Sequence, residues 1–363
     1  MPLRRTLTGL LLMLAATSCT GHPPLPPTPH TSPVSPTTSA AHASPAPTFS
    51  GPAYTLKVLG SSELEDMQPI LRQAETATGV TVALTPIGSL AGAKAVIGGA
   101  AAKGYDAVWF ASDNYIDLYP EGLGSLKGTT QIMSSPVILG MRTSVADRLG
   151  WNRNPPTWAE IAAAAARNEF TFGMTNPSMS NSGLSALVAV ATSIAGTGAA
   201  LQASEIAQAA PELGGMSRQQ VLTRPTSGYL TQAYLNDLRS GHAPDALIDY
   251  ESQLLTIKAA APPGNPITLI YPSDGALDAT YPLSLLVSAR PAARDAFLRL
   301  TKYLTTPQVQ QQIMQLTQRR PILSGIPLTE GLTGHELYQL PFPATVGTVQ
   351  YLIDIYNGTP GRG

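Results

Sequence analysis

From residue 54 onward, short apolar β-rich runs alternate with segments of helical period. That alternation restricts the folded part of the chain to mostly parallel sheets covered by helices. Residues 54–59 form one such run, and Leu64, Met67, Leu71 and Ala74 then recur at helical spacing until Gly79. Residues 80–84 predict a strand, 89–103 an Ala- and Gly-rich helix ended by Gly104, and 106–110 a buried strand. Further strands are expected at 135–142, 170–174, 246–249, 267–271 and 283–288, and further helices at 228–239, 291–304 and 307–317. Start signals accompany several helices. Ser62 with Glu65, and Thr157 with Glu160, have capping-box spacing, Ser112 and Ser227 are placed to cap, and Thr306 precedes Pro307 at the first helical position. A length of 363 residues points to about two domains. No period of 20 to 50 residues recurs, which excludes a repeat array.

The N-terminus reads differently. Arg4 and Arg5 precede an apolar stretch, residues 10–16, that is too short to cross a bilayer, and small residues then lead to Cys19. This resembles a bacterial lipoprotein signal over residues 1–18, with Cys19 as the lipidated residue and a membrane attachment through that lipid. Ala16 stands where leucine is commonest, and the other reading is ordinary secretion with Cys19 discarded. Residues 20–52 hold ten prolines and no Asp, Glu, Lys or Arg. Such a segment builds no core, so 19–52 is expected to be a disordered tether, reaching about 100 Å at roughly 3.1 Å per residue. His22, His30 and His42 fall in it and read as solvated residues. The uncharged stretch 184–201 carries Ser, Thr and Gly and reads as a buried helix of an α/β protein.

Composition removes several functions. The formal charge is −1 and no basic run occurs, which argues against nucleic-acid binding. A single cysteine excludes a disulfide framework, a Cys-type zinc site and a thiol nucleophile in the body of the chain. There is no Walker loop, GxGxxG, GxSxG or HExxH. His242 and His335 lie in Gly-His turns and read as surface residues rather than catalytic bases. Asn176-Pro-Ser178-Met-Ser180 has DxSxS spacing, but its first position lacks the carboxylate that a divalent cation needs. No metal and no cofactor is expected, and the chain is not expected to be an enzyme.

What recurs is hydroxyl and amide residues where strands meet helices: Gly60-Ser61-Ser62, Ser112-Asp113-Asn114, Ser178 to Ser182, and Thr226-Ser227-Gly228. Each is readable as an ordinary helix cap. Together, on opposite halves of one α/β chain, they predict a cleft whose backbone N–H groups suit an anion or a polyhydroxyl ligand.

The segments VLGSSELEDMQPIL, GYDAVWFASDNYIDL, SSPVILGMRTSVADRLGW, FTFGMTNPSMSNSGLSALV, DYESQLL and IYPSDGALDATYPLSLLV occur in one order. Over about residues 54–322 the chain resembles bacterial extracellular solute-binding proteins of the type 2 periplasmic-binding fold. It is most similar to the solute-binding segment that precedes a von Willebrand factor A domain, and more distantly to molybdate- and phosphate-binding proteins. The resemblance implies an α/β fold of two lobes with two hinge crossings, near 136–142 and 265–272. Residues 53–136 with 272–363 would form lobe 1 and 137–271 lobe 2. It carries ligand contacts onto Ser61 and Ser62, Ser112 and Asn114, Ser180, Asn181 and Ser182, Thr226 and Ser227, and Tyr250 with Glu251. The chain departs from these relatives in ending at Gly363 without an A domain. It also lacks the arginine that phosphate binders place beside the serine-rich helix start; Arg224 is the nearby basic residue. The implied function is a lipid-anchored extracytoplasmic protein that captures a small polar or anionic ligand for an ABC permease. The alternative is an envelope receptor or scaffold with the same fold.

Overall fold

The computed structural model describes residues 49–332, 334 and 337–358. The leader, Cys19, most of the tether and His335 lie outside these residues. The first lobe opens with β1 (Tyr54–Ser61), a 3-10 turn (Ser62–Met67), α1 (Gln68–Thr78), β2 (Val80–Ile87), α2 (Ser89–Ile97), β3 (Ala107–Trp109), α3 (Asn114–Asp117), α4 (Pro120–Ser125) and β4 (Leu126–Gln131). The second holds β5 (Met133–Arg142), α5 (Thr143–Leu149), α6 (Trp158–Ala166), β6 (Phe172–Thr175), α7 (Asn181–Ala195), α8 (Ala203–Ser217), β7 (Gln220–Arg224), α9 (Ser227–Ser240), β8 (Ala246–Tyr250), α10 (Glu251–Ala260), β9 (Ile267–Ile270) and β10 (Asp278–Ala279). The chain then returns to the first lobe as β11 (Pro282–Leu286), α11 (Pro291–Leu304) and α12 (Pro307–Thr317). It closes with β12 (Arg320–Pro321) and α13 (Val346–Tyr356).

The first sheet has the order β2-β1-β3-β11-β4, with β1 parallel to β2 and β3, and β11 antiparallel to both its neighbours. The second runs β10-β5-β8-β6-β7, with β9 and β12 also pairing with β5. Strands β6, β7 and β8 are parallel, and β5 is antiparallel to β8 and β9. The uncharged stretch is α7, in which every residue from Asn181 to Thr192 is buried. It packs against α6, α8 and α13. Burying each of Leu184, Leu187 and Val190 contributes roughly 1.5–3 kcal/mol. Among the described residues no helix is long and apolar enough to cross a membrane.

The two predicted capping boxes part company. At Thr157 the box forms: Glu160 N–H donates to Thr157 Oγ1 at 3.2 Å, and Thr157 N–H to Glu160 Oε2 at 2.7 Å. At Ser62 it does not, because a 3-10 turn occupies 62–67 and Ser62 Oγ instead receives Gly228 N–H from the other lobe at 3.2 Å. Ser227 is no cap either; its hydroxyl donates to Asp249. Phe49, at the end of the expected tether, belongs to the folded body. Its N–H bonds Thr76 O, and the Arg299 guanidinium stands 4.8 Å over its ring.

The chain passes between sheets at Ile132, at Thr280-Tyr281 and again at Gln318-Arg319. The crossings expected near 136–142 and 265–272 fall instead inside β5 and β9, which pair with each other (Leu139 opposite Ile270). The third passage carries β12 onto β5 and α13 onto α7 and α8, so the last helix sits with the second lobe. At that passage Arg319 is fully buried. Its Nη1 donates to both carboxylate oxygens of Asp66 (2.8 and 2.7 Å), its Nη2 to Glu63 O (3.2 Å), and it lies 4.8 Å from the Tyr281 ring centroid. Arg320 grips the second lobe, donating to both oxygens of Glu251 at 2.7 Å. Removing one partner of a buried ion pair costs about 3–5 kcal/mol because the other charge is stranded. Asp66→Asn strands a wholly buried guanidinium. Arg319→Met leaves a carboxylate that is 33% exposed. Chemical unfolding is therefore expected to show Asp66→Asn as the more destabilising of the two.

Candidate functional site

The serine and amide turns sit at the carboxyl ends of parallel strands, where an open α/β sheet exposes helix N-termini. On the first lobe, β1 ends in Ser61, whose hydroxyl pairs with Ser89 Oγ at 2.7 Å at the start of α2. Ser62 follows, donating to Glu63 Oε2 at 3.5 Å while it accepts Gly228 N–H. Glu63 is buried beneath them and also accepts the Tyr281 hydroxyl at 3.4 Å. Tyr281 holds φ 44°, a left-handed conformation that costs a non-glycine residue about 1–2 kcal/mol. The second passage between sheets thus carries local strain that fixes this ring at the cleft.

On the second lobe, four side chains make one hydroxyl relay. Thr175 Oγ1 lies 2.8 Å from Ser182 Oγ, Ser182 Oγ 2.9 Å from Ser227 Oγ, and Ser227 donates to Asp249 Oδ1 at 2.8 Å. Each hydroxyl has one proton. With Asp249 ionised, Ser227 spends its proton there, Ser182 must donate to Ser227, and Thr175 to Ser182. Gly183 is required at the head of α7 because a Cβ would strike Thr175 O and approach Pro177 N to 3.1 Å. Asn181 Nδ2 donates to Tyr250 OH at 3.3 Å, and the Tyr250 and Tyr281 rings meet edge-on at 6.0 Å.

Ser61, Ser62, Ser180, Asn181, Ser182, Thr226, Ser227 and Tyr250 are all buried around this meeting of the lobes. The remaining expected residues have other surroundings. Ser112 Oγ accepts Asn114 N–H at 3.1 Å, and Asn114 lines a separate cavity of about 390 Å³ with Asp113, Asp117, Thr129 and Gln131. Glu251 is held by Arg320 and by Tyr271 OH at 2.7 Å. His242 is exposed, and among the described residues no three Asp, Glu, His or Cys cluster to hold a metal ion. Sequence reasoning missed Glu63, Asp249, Ser89, Thr175 and Tyr281. Asp249 ends an apolar strand directly before Tyr250, and a carboxylate in such a run was the available signal.

The two acids are perturbed. Burial above all, with a smaller contribution from the Asp249 charge, pushes the Glu63 carboxyl up to about 7 against a backbone hydrogen bond and the pull of Arg319. Burial likewise pushes Asp249 up to about 6, opposed by the hydrogen bonds from Ser227 and the Tyr250 amide.

The family of bacterial extracellular solute-binding proteins matches residues 56–315, and the chain belongs to it. It is therefore an extracytoplasmic protein of a family that binds solutes and is generally not enzymatic. The fold is also that of solved periplasmic binding proteins. A periplasmic thiamin binding protein matches with a TM-score of 0.64 at 13% identity, over 86% of this chain and 98% of that one. The periplasmic binding protein AfuA from Actinobacillus pleuropneumoniae, solved with fructose 6-phosphate, gives 0.63 at 13% identity, over 85% and 99%. The sulfate-binding protein SubI from Mycobacterium tuberculosis gives 0.56 at 17% identity, over 82% and 96%. No curated protein matches the sequence.

Both raised carboxyls bind protons in the folded state that the unfolded chain has already released between about pH 4 and 7. Stability is thus fully present below about pH 4 and falls as pH rises through 6 to 7. Glu63→Gln is expected to remove a large part of this slope, a difference on the order of 3 kcal/mol, read from urea unfolding at pH 5 and 7.5.

Proposed function

We propose that this protein is lipid-anchored at Cys19 and captures a small polar solute between its two lobes for delivery to an ABC permease. The observation that carries this reading is the convergence of hydroxyl and amide groups from opposite lobes, with Gly228 N–H reaching Ser62 Oγ across the divide. Ser61, Ser62, Ser180, Asn181, Ser182, Thr226, Ser227 and Tyr250 would form the lining. Asn114 and Glu251 would act at most indirectly, since the first faces another cavity and the second is spent on Arg320. The structural relatives named above are a thiamin binder, a protein holding fructose 6-phosphate and a sulfate binder, so the fold itself leaves the ligand's charge open.

A second reading is a receptor or scaffold of the envelope, akin to solute-binding segments that precede von Willebrand factor A domains. The direct hydrogen bonds between the lobes favour it, since they hold the cleft shut through protein groups alone. Native mass spectrometry of freshly purified protein separates the two. A bound small molecule supports solute capture, and a bare chain that no solute stabilises supports the scaffold.

Asn181→Leu removes a polar group from the lining together with its hydrogen bond to Tyr250 OH. Affinity for the bound solute is expected to fall about 3- to 100-fold, with melting of the free protein lowered because the buried Tyr250 hydroxyl loses its donor. Cys19→Ala is expected to shift the protein from the membrane to the soluble fraction, and persistence in the detergent phase would exclude lipidation at this residue.

A further inference from the structure

We infer that the solute of this cleft is an organic cation bearing N–H donors, an ammonium or guanidinium compound, and not an oxyanion. The inference rests on the reading of the cleft as a solute site and adds the ligand's chemistry.

An anion needs donors, and several of the donors around this cleft are already engaged by the protein. Leu90 and Ala91 N–H, at the start of α2, both bond Met179 O at 3.1 Å. Gly183 N–H at α7 bonds Thr175 Oγ1 at 2.8 Å, and Gly228 N–H at α9 bonds Ser62 Oγ. Lys94 Nζ donates to Ser178 O at 3.0 Å. The relay from Thr175 through Ser182 to Ser227 spends its protons toward Asp249, and Ser62 and Tyr281 direct theirs to Glu63. Arg319, the buried guanidinium nearest the site, is committed to Asp66 and to the Glu63 carbonyl.

The cleft also holds buried acceptors. Asp249 is wholly buried, and among the described residues nothing donates to its Oδ2. Thr226 Oγ1, 6% exposed and one residue before Ser227, is likewise unpartnered. Each lobe therefore contributes one buried carboxylate, Glu63 from the first and Asp249 from the second. Two such charges repel, and while Arg319 offsets part of the cost at Glu63, no cation stands near Asp249, where a buried charge is costly. A cation placed between them removes the repulsion and makes charge-assisted hydrogen bonds to both. A calcium or magnesium ion fits poorly, since it demands six or more oxygen ligands and among the described residues no group of three acids, histidines or cysteines could hold one.

The test is calorimetry on the mature protein at pH 8 with ethanolamine, putrescine and agmatine, against sulfate, phosphate, molybdate and glucose. At least one amine is expected to bind. That affinity should fall at least 10-fold in Glu63→Gln and in Asp249→Asn, and should weaken as pH drops from 8 to 5.5, where Glu63 and Asp249 take up protons. Both variants replace a buried charge by its neutral isostere, so each is expected to melt at or above the wild-type temperature; that melting reports folding independently of binding. Binding of an oxyanion or of glucose that Asn181→Leu weakens, with none by the amines, overturns the cationic assignment and leaves solute capture standing. Binding by no probe, with only the bare chain in native mass spectra, overturns solute capture and the assignment with it.

Discussion

The buried guanidinium of Arg319 is the constraint from which the two-lobed arrangement follows. It touches the 3-10 turn of the first lobe and the strained Tyr281 at the second passage between sheets from its own place at the third. A cation with no access to water holds its place only if carboxylate and carbonyl oxygens surround it. Asp66 and the Glu63 carbonyl must therefore stay where they are, and with them the turn that presents Ser62 and the Glu63 carboxyl. Arg320, next in the chain, clamps Glu251 at the head of α10 in the second lobe. Two consecutive arginines thus fasten opposite lobes at one point, and the turn chemistry of the cleft is built around that fastening.

Much of the architecture was legible because it rests on local signals. The alternation of β-rich runs and helical period is set by burial, so β1, β2, β3, β6, β8 and β11 lie within a few residues of their expected places. The helices at 291–304 and 307–317 match in full, since Pro at the first position and an apolar face mark their bounds. The segments that escaped are those whose apolar character is diluted or whose partners are remote. Residues 203–217 form α8 despite Pro211 and two glycines, held by packing on α6 and α7 rather than by propensity. Strands β4 and β7 are largely exposed and carry Lys, Gln, Thr and Arg, so they resemble loops until a neighbouring strand is supplied.

The site was legible in outline and opaque in sign. Serines at strand ends read as donors awaiting an anion, because a helix N-terminus seen alone has unsatisfied N–H groups. Only the folded chain reveals that oxygens from the other lobe already satisfy several of them, with Met179 O on α2 and Ser62 Oγ on α9. The same holds for Glu63, which reads in sequence as a first-turn acid of an exposed helix. Its burial depends on Arg319, 256 positions away, and no local pattern encodes that pairing.

The contacts that cross the cleft itself are few: Gly228 to Ser62, Leu90 and Ala91 to Met179, and Lys94 to Ser178. Each is worth about 0.5–1.5 kcal/mol net, more for the lysine. Against them stands the burial of the Glu63 and Asp249 carboxyls. Such contacts hold the lobes together by a small margin. A solute shifts such an equilibrium only by binding one state better than the other. A cation between Glu63 and Asp249 would do so by relieving the repulsion between them.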